Sequence, residues 1–249
     1  MVYYKSNQEI EIMKIAGKIV ADCLCMLEEH IQPGVSTGKL DQLAEDFIRS
    51  HKALPGFKGY NGFPATLCTS INDEVVHGIP GDRVLQEGDL LSVDCGTIYQ
   101  GYYGDHARSY PVGEVSKENQ RLMDATLHSL TAGIEAAQPG GTLGDIGAAV
   151  QQVAESNGFS VVRSLVGHGI GRNLHEDPQV LNYGTAGKGM RLRPGLVLAI
   201  EPMVNAGTYD VYTKADGWTI VTRDKKNSAH FEHTVAITKE GPVVLTAGY

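Results

Sequence analysis

Two apolar runs that end in carboxylates, Leu85-Gln-Glu-Gly-Asp-Leu-Leu-Ser-Val-Asp94 and Leu192-Arg-Pro-Gly-Leu-Val-Leu-Ala-Ile-Glu201, align without a gap across an offset of 107 residues. Leu, Gly and Leu recur at the same places in both. A carboxylate at the end of a buried strand is costly unless a positive group meets it, so the repeat points to a duplicated scaffold that holds a cation between its halves. Asp105 follows Asp94 by eleven residues. If Gln100-Gly101 centres a hairpin turn, Tyr99 faces Tyr102 and Asp105 faces Gly96. Asp94 and Asp105 then become diagonal neighbours on one sheet face, with Cα atoms about 7–8 Å apart. Gly96 leaves room between them, and two such carboxylates repel unless a proton or a cation intervenes.

Two more segments carry groups of the same kind. Glu232 lies in the strand-like run His230-Phe-Glu-His-Thr-Val-Ala-Ile237. His168 lies in Gly167-His-Gly-Ile-Gly171, read as a glycine-flanked turn that exposes an imidazole at a strand end. Taken singly, each is ordinary: a turn histidine, a capping aspartate, a glutamate paired with a lysine. Taken together, Asp94, Asp105, His168, Glu201 and Glu232 offer four carboxylates and one imidazole, a donor set suited to manganese, iron, cobalt or zinc. Two divalent ions would neutralise the four carboxylates. Such a pair, roughly 3.5–4 Å apart, can lower the pKa of a clamped water toward about 7.

The elements that must position these groups are also repeated. Ser6-Asn-Gln-Glu9 is a capping box, and Ile12, Ile15/Ala16, Ile19/Val20, Cys23/Leu24 and Leu27 follow at helical spacing. Pro33-Gly34 ends that helix, and Ser36 or Thr37 starts another with Leu40, Leu43/Ala44 and Phe47/Ile48. The layout returns with a helix near 119–137, Pro139-Gly140, then Thr142 and Ile146, Ala149/Val150 and Val153/Ala154. A shorter echo joins His77-Gly-Ile79 to His168-Gly-Ile170. One domain over 1–249 is expected, with pseudo-symmetric halves of roughly 1–113 and 114–249.

Composition narrows the class. The net charge of −8 and the absence of a basic run argue against a nucleic-acid groove. No apolar stretch approaches the roughly 20 residues of a membrane span, and the first residues lack the apolar core of a signal peptide. Four cysteines make no disulfide framework, so a reduced, cytoplasmic protein is expected. Cys95 adjoins Asp94 but faces the other side of its strand, which makes it core. Gly34-Val-Ser-Thr-Gly38 fits a nucleophile elbow by pattern, yet follows a helix rather than a strand.

The ordered set Ser70-Ile-Asn-Asp-Glu-Val-Val-His77-Gly-Ile-Pro, Val-Asp94, Gly-Asp105, Gly-His168-Gly-Ile-Gly-Arg-Asn-Leu-His175-Glu, Ile-Glu201-Pro-Met203 and Phe-Glu232-His-Thr resembles the type I methionine aminopeptidases over nearly the whole chain. The resemblance implies an α+β "pita-bread" fold: two pseudo-symmetric α/β halves around a central mixed or antiparallel sheet that holds a dinuclear metal site. With no long N-terminal extension and no large insertion in the second half, the short bacterial-type form is the expected match.

By the same resemblance Asp94 chelates one metal, His168 and Glu201 hold the other, and Asp105 and Glu232 bridge both. Glu201 would also shuttle the proton of the attacking water. His175 would hydrogen-bond the scissile carbonyl, and His77 would steady the peptide near the leaving nitrogen. Tyr60, Phe63, Cys68, Met203 and Trp218 would surround the methionine side chain. Phe63, Leu174 and His230 depart from residues common in the family at those places.

The implied activity is removal of initiator methionine from chains with a small second residue. The implied partners are the N-termini of nascent polypeptides, met at the ribosome by a monomer. The alternatives are a proline-directed aminopeptidase or creatinase-like hydrolase of the same fold, and a binding paralogue that has lost ligands.

Overall fold

Residues 1–248 are described by the structure, a computed structural model. Ser6 accepts from the Glu9 amide while the Glu9 carboxylate accepts from the Ser6 amide, and this box starts α1 (Asn7–Glu28). Ser36 caps α2 (Thr37–Ser50), Ser116 caps α3 (Lys117–Ala136), and Thr142 with Asp145 boxes α4 (Leu143–Ser156). Helix α3 thus begins two residues before the expected start, where the Ser116 hydroxyl can meet an amide. The buried stripe of α1 also differs from the periodic reading. Ile10 and Met13 are buried, Ile12 is only half-buried, and Ile15 is 46% exposed. Both sets satisfy a helical period; the sheet selects the one that faces it.

Six strands carry or support the site: β1 (Leu90–Tyr99), β2 (Tyr102–Pro111), β3 (Gly167–Gly169), β4 (Glu176–Val180), β5 (Val197–Ile200) and β6 (Glu232–Ile237). They belong to one nine-stranded sheet in the order Leu54–Pro55, β1, β2, β6, β5, β3, β4. Leu67–Ile71 is added beside β1 and Pro242–Val244 beside β6. All its ladders are antiparallel. Two three-stranded sheets flank it.

The β1–β2 turn is set by Gln100 at φ 48° and Gly101 at φ 79°, the pair of left-handed residues that a tight primed hairpin needs. Tyr99 consequently faces Tyr102, and Gly96 faces Asp105, as expected. Asp94 does not end its strand, however: β1 continues to Tyr99 because β2 pairs with it along its whole length.

Successive strand residues point to opposite faces, so Val93 and Cys95 lie behind Asp94. There they pack with Val20, Leu24, Leu40, Ala44 and Ile48 of α1 and α2. In the second half, Leu198, Ile200 and Val235 pack with Leu122, Leu130 and Ile146 of α3 and α4. Each helix pair covers the back of one half-sheet, which leaves the other face for chemistry. The back packing is close: a Cβ on Gly104 would lie 2.7 Å from the Gly17 nitrogen of α1. Among the described residues, no helix is long and apolar enough to cross a membrane.

Candidate active site

The five ligand candidates come from five consecutive positions in the sheet: Asp94 on β1, Asp105 on β2, Glu232 on β6, Glu201 just after β5, and His168 on β3. Register explains why they meet. Asp94, Ala107 and Glu232 stand opposite one another in one row, and Thr234, Ala199 and His168 form the next. Opposed residues share a face. Alanine at the centre of each row keeps the floor low, so acids and imidazole rise around an open space. His168 is therefore strand-internal and buried, not the exposed turn residue the glycines suggested. Flanking strands β4 and β5 pair on both sides of it and hold it in the sheet.

The space at Gly96 is taken by Phe57. A Cβ on Gly96 would lie 2.5 Å from the Phe57 ring, so the glycine seats a wall of the cavity rather than a cation. Sequence reasoning missed Phe57, since nothing local marks an aromatic that packs across a sheet.

His168 Nδ1 donates to the Gly169 carbonyl at 2.9 Å, leaving Nε2 bare, as a ligating imidazole requires. Nε2 lies 3.4 Å from Glu201 Oε1 and 3.9 Å from Asp105 Oδ2. One donor atom each from Asp105, His168 and Glu232 falls within 4.8 Å of the others. Asp94 Oδ1, Asp105 Oδ1 and Glu232 Oε1 are buried with no hydrogen-bond partner. Orphaned carboxylate oxygens are expensive, and these three belong to one cavity.

Electrostatics sharpens the point. Burial pushes the Asp94 carboxyl up to about 7, against opposing hydrogen bonds with Asp105 and the Cys95 amide. Burial, then the neighbouring carboxylates, raises Asp105, Glu201 and Glu232 well above the usual range. Among the described residues only His168 and His230 come within 4.0 Å as bases. Burial pushes both imidazoles down to about 3, so both are neutral. The protein supplies no cation of its own here. Hard oxygen donors and one nitrogen around unpaired acids fit a divalent metal.

A cavity of about 250 Å³ opens above these groups, walled by Phe57, Tyr60, Asn61, Phe63, Cys68, His77, Leu174, His175 and Trp218. Phe63 and Trp218 meet edge to face at 5.1 Å. Cys68 stands opposite Asp94 in register, and burial first, then Asp94, holds its thiol protonated. The structure does not bring Met203 to this cavity. The chain leaves the main sheet at Glu201 and enters the strand Met203–Asn205, which packs Met203 against Val75, Val76 and Val162.

His77, at φ 61°, occupies a left-handed conformation that costs a non-glycine residue of order 1–3 kcal/mol and marks functional sites. His175 is exposed at the rim, its Nδ1 2.7 Å from the Tyr60 hydroxyl. In the tautomer where that hydroxyl donates to Nδ1, the ring proton is on Nε2 and can be donated to a ligand. His230 is 1% exposed, with both ring nitrogens unpartnered and Nε2 3.9 Å from Glu201.

Known proteins resemble this chain over nearly its whole length. The model of metallopeptidase family M24 matches residues 11–239. A methionine aminopeptidase of Clostridium acetobutylicum is 54% identical over 247 residues, covering 99% of each chain. Methionine aminopeptidase 1 of Bacillus subtilis is 53% identical over 246 residues, again covering 99% of each. The crystal structure of the methionine aminopeptidase from Rickettsia prowazekii superposes with a TM-score of 0.98 at 45% identity, covering 99% of this chain and 100% of that one.

Proposed function

Because the chain belongs to metallopeptidase family M24, we propose that it hydrolyses the first peptide bond of proteins and peptides, releasing N-terminal methionine when the second residue is small. The observation that carries this reading is the cluster of five donors, three of them with an unpaired buried oxygen, beside an aromatic slot closed by Phe63 and Trp218. A thioether suits such a slot, because polarisable sulfur contacts ring edges favourably.

Asp94, Asp105, His168, Glu201 and Glu232 would hold two divalent ions, drawn from manganese, iron, cobalt and zinc. Bound there, the ions supply Lewis acidity that lowers the pKa of a water toward about 7. Glu201 takes a proton from the attacking water and returns it to the leaving amine. His175 Nε2 donates to the carbonyl oxygen as negative charge develops on it, and neutral His77, pushed down to about 4 by burial, steadies the peptide near the leaving nitrogen. Tyr60, Phe63, Cys68 and Trp218 wall the methionine side chain. Residues 1–249 act as one catalytic unit, a cytoplasmic monomer that meets nascent N-termini at the ribosome. Its two halves contribute two and three ligands.

The deciding assay offers metal-loaded protein Met-Ala-Ser, Met-Lys-Ser and Ala-Pro-Ser and measures the released amino acid. Cleavage of the first alone is expected. Release from the third alone would make the protein a proline-directed enzyme, and no release with metal bound would make it a binding protein.

Metal affinity should depend on pH in a definite direction. In the metal-free protein burial holds Asp94 at about 7 and its three neighbours well above the usual carboxylate range, so an entering cation must displace protons. Apparent affinity should therefore rise as pH increases through 7, about tenfold per unit for each proton released. Competition with a chelator at three pH values measures it; a flat profile would mean that these acids do not surround the ion.

A further inference from the structure

We infer that the buried ion pair of Lys5 and Glu176 is a positioning device for His175, locking the loop that carries it against the first residues of the chain. The inference rests on the reading of His175 as the group that hydrogen-bonds the scissile carbonyl. His175 is exposed, and Tyr60 provides its one side-chain hydrogen bond. A donor must hold its position to stabilise a developing charge; the His175 ring also meets those of Tyr60 and His168 at 5.3 and 4.3 Å, but ring contacts do not tie down the loop backbone that carries it. That backbone is fixed through its neighbour. Lys5 Nζ lies 2.6 Å from Glu176 Oε2, with the two side chains 5% and 4% exposed.

The loop between β3 and β4 is built around this ammonium. The other Glu176 oxygen accepts from the Asn173 amide at 3.1 Å, which folds the loop back on itself. Gly171 lies so close that a Cβ there would stand 2.4 Å from Lys5 Cε and 2.9 Å from Nζ. The Gly171 carbonyl accepts from the Tyr103 amide at 2.8 Å, and the Lys5 amide donates to Gly195 at 2.6 Å. Lys5 thus ties the β3–β4 loop to the entry to β5, and Gly171 of the same loop ties it to β2. A second, more exposed contact has the same sense: Arg172 lies 3.6 Å from Glu9 and 4.5 Å over the Tyr102 ring.

Removing one partner of a buried pair leaves an unpaired charge that must be rehydrated, whereas replacing both by apolar groups removes the penalty. This asymmetry gives the test. Lys5→Met, Glu176→Gln, the double variant Lys5→Met/Glu176→Leu and the control His175→Ala are assayed on Met-Ala-Ser with metal content measured alongside. Each latch single variant should lose roughly 10–100-fold in kcat, as expected when a catalytic group is misplaced by about 1 Å. KM should stay within about twofold, because the slot is untouched, and metal stoichiometry should not change. Amides 172–175 should exchange faster with solvent in the single variants than in the parent. The double variant should recover most of both kcat and protection.

Unchanged kcat in Lys5→Met, loss that follows lost metal, or a double variant no better than the singles overturns the inference. The control separates the two readings. If His175→Ala keeps full turnover, the role of His175 falls and the latch with it. If that variant is inactive while Lys5→Met is fully active, only the latch falls.

Discussion

Replacing Asp105 by asparagine should raise the thermal midpoint of the metal-free protein while abolishing its turnover. The two signs follow from one fact: Asp105 is 4% exposed among three other acids, with one oxygen unpaired. Without a cation its ionised form is disfavoured by burial first and by Asp94 and Glu201 next. As pH rises, the unfolded chain sheds this proton at the ordinary carboxyl value, whereas the folded chain holds it to higher pH. The group's contribution to stability is full below about 4 and is lost as pH climbs toward its raised folded value. Asparagine carries no such proton. At pH 8 in chelator the variant should unfold several degrees above the parent. With metal present the order reverses, since the parent gains binding energy and the variant does not. Turnover should drop by about 10³-fold or more, because water activation goes with the ion. A lower midpoint with full metal content would show Asp105 to be a structural acid rather than a ligand.

His175→Ala should leave both metal content and stability nearly untouched and reduce kcat by about 10²–10³, the usual effect of deleting one oxyanion donor. His175 is exposed, so truncation opens no cavity and should shift stability by no more than about 0.5 kcal/mol. Its ring does meet that of His168 edge-on at 4.3 Å, which makes metal content the critical control. Metal loss in this variant would mean that His175 supports the ligand sphere instead of the substrate.

Much of the site was legible in the chain because its parts are held locally. The Asp94–Asp105 diagonal follows from a two-residue turn whose left-handed residues fix the register of twenty strand residues. Capping boxes at Ser6 and Thr142 are short-range chemistry. The five ligand candidates were legible as well, although the sequence puts His168 in an exposed turn and Asp94 at a strand end. Strand ends depend on how far a partner pairs: β2 carries β1 past Asp94 to Tyr99, and β4 and β5 close on both sides of His168.

What the sequence determined by itself is the inventory: a repeated helix-and-strand layout, four acids and an imidazole of metal-binding type, and the hairpin that brings two of those acids together. Tertiary structure alone decided which face of α1 is buried, that Phe57 fills the space above Gly96, that Met203 turns away from the cavity, and that Lys5 meets Glu176 across 171 residues. The division has a physical cause. Turns and caps are chosen by hydrogen bonds between near neighbours, whereas burial and charge pairing depend on surfaces that exist only after the two halves close on each other.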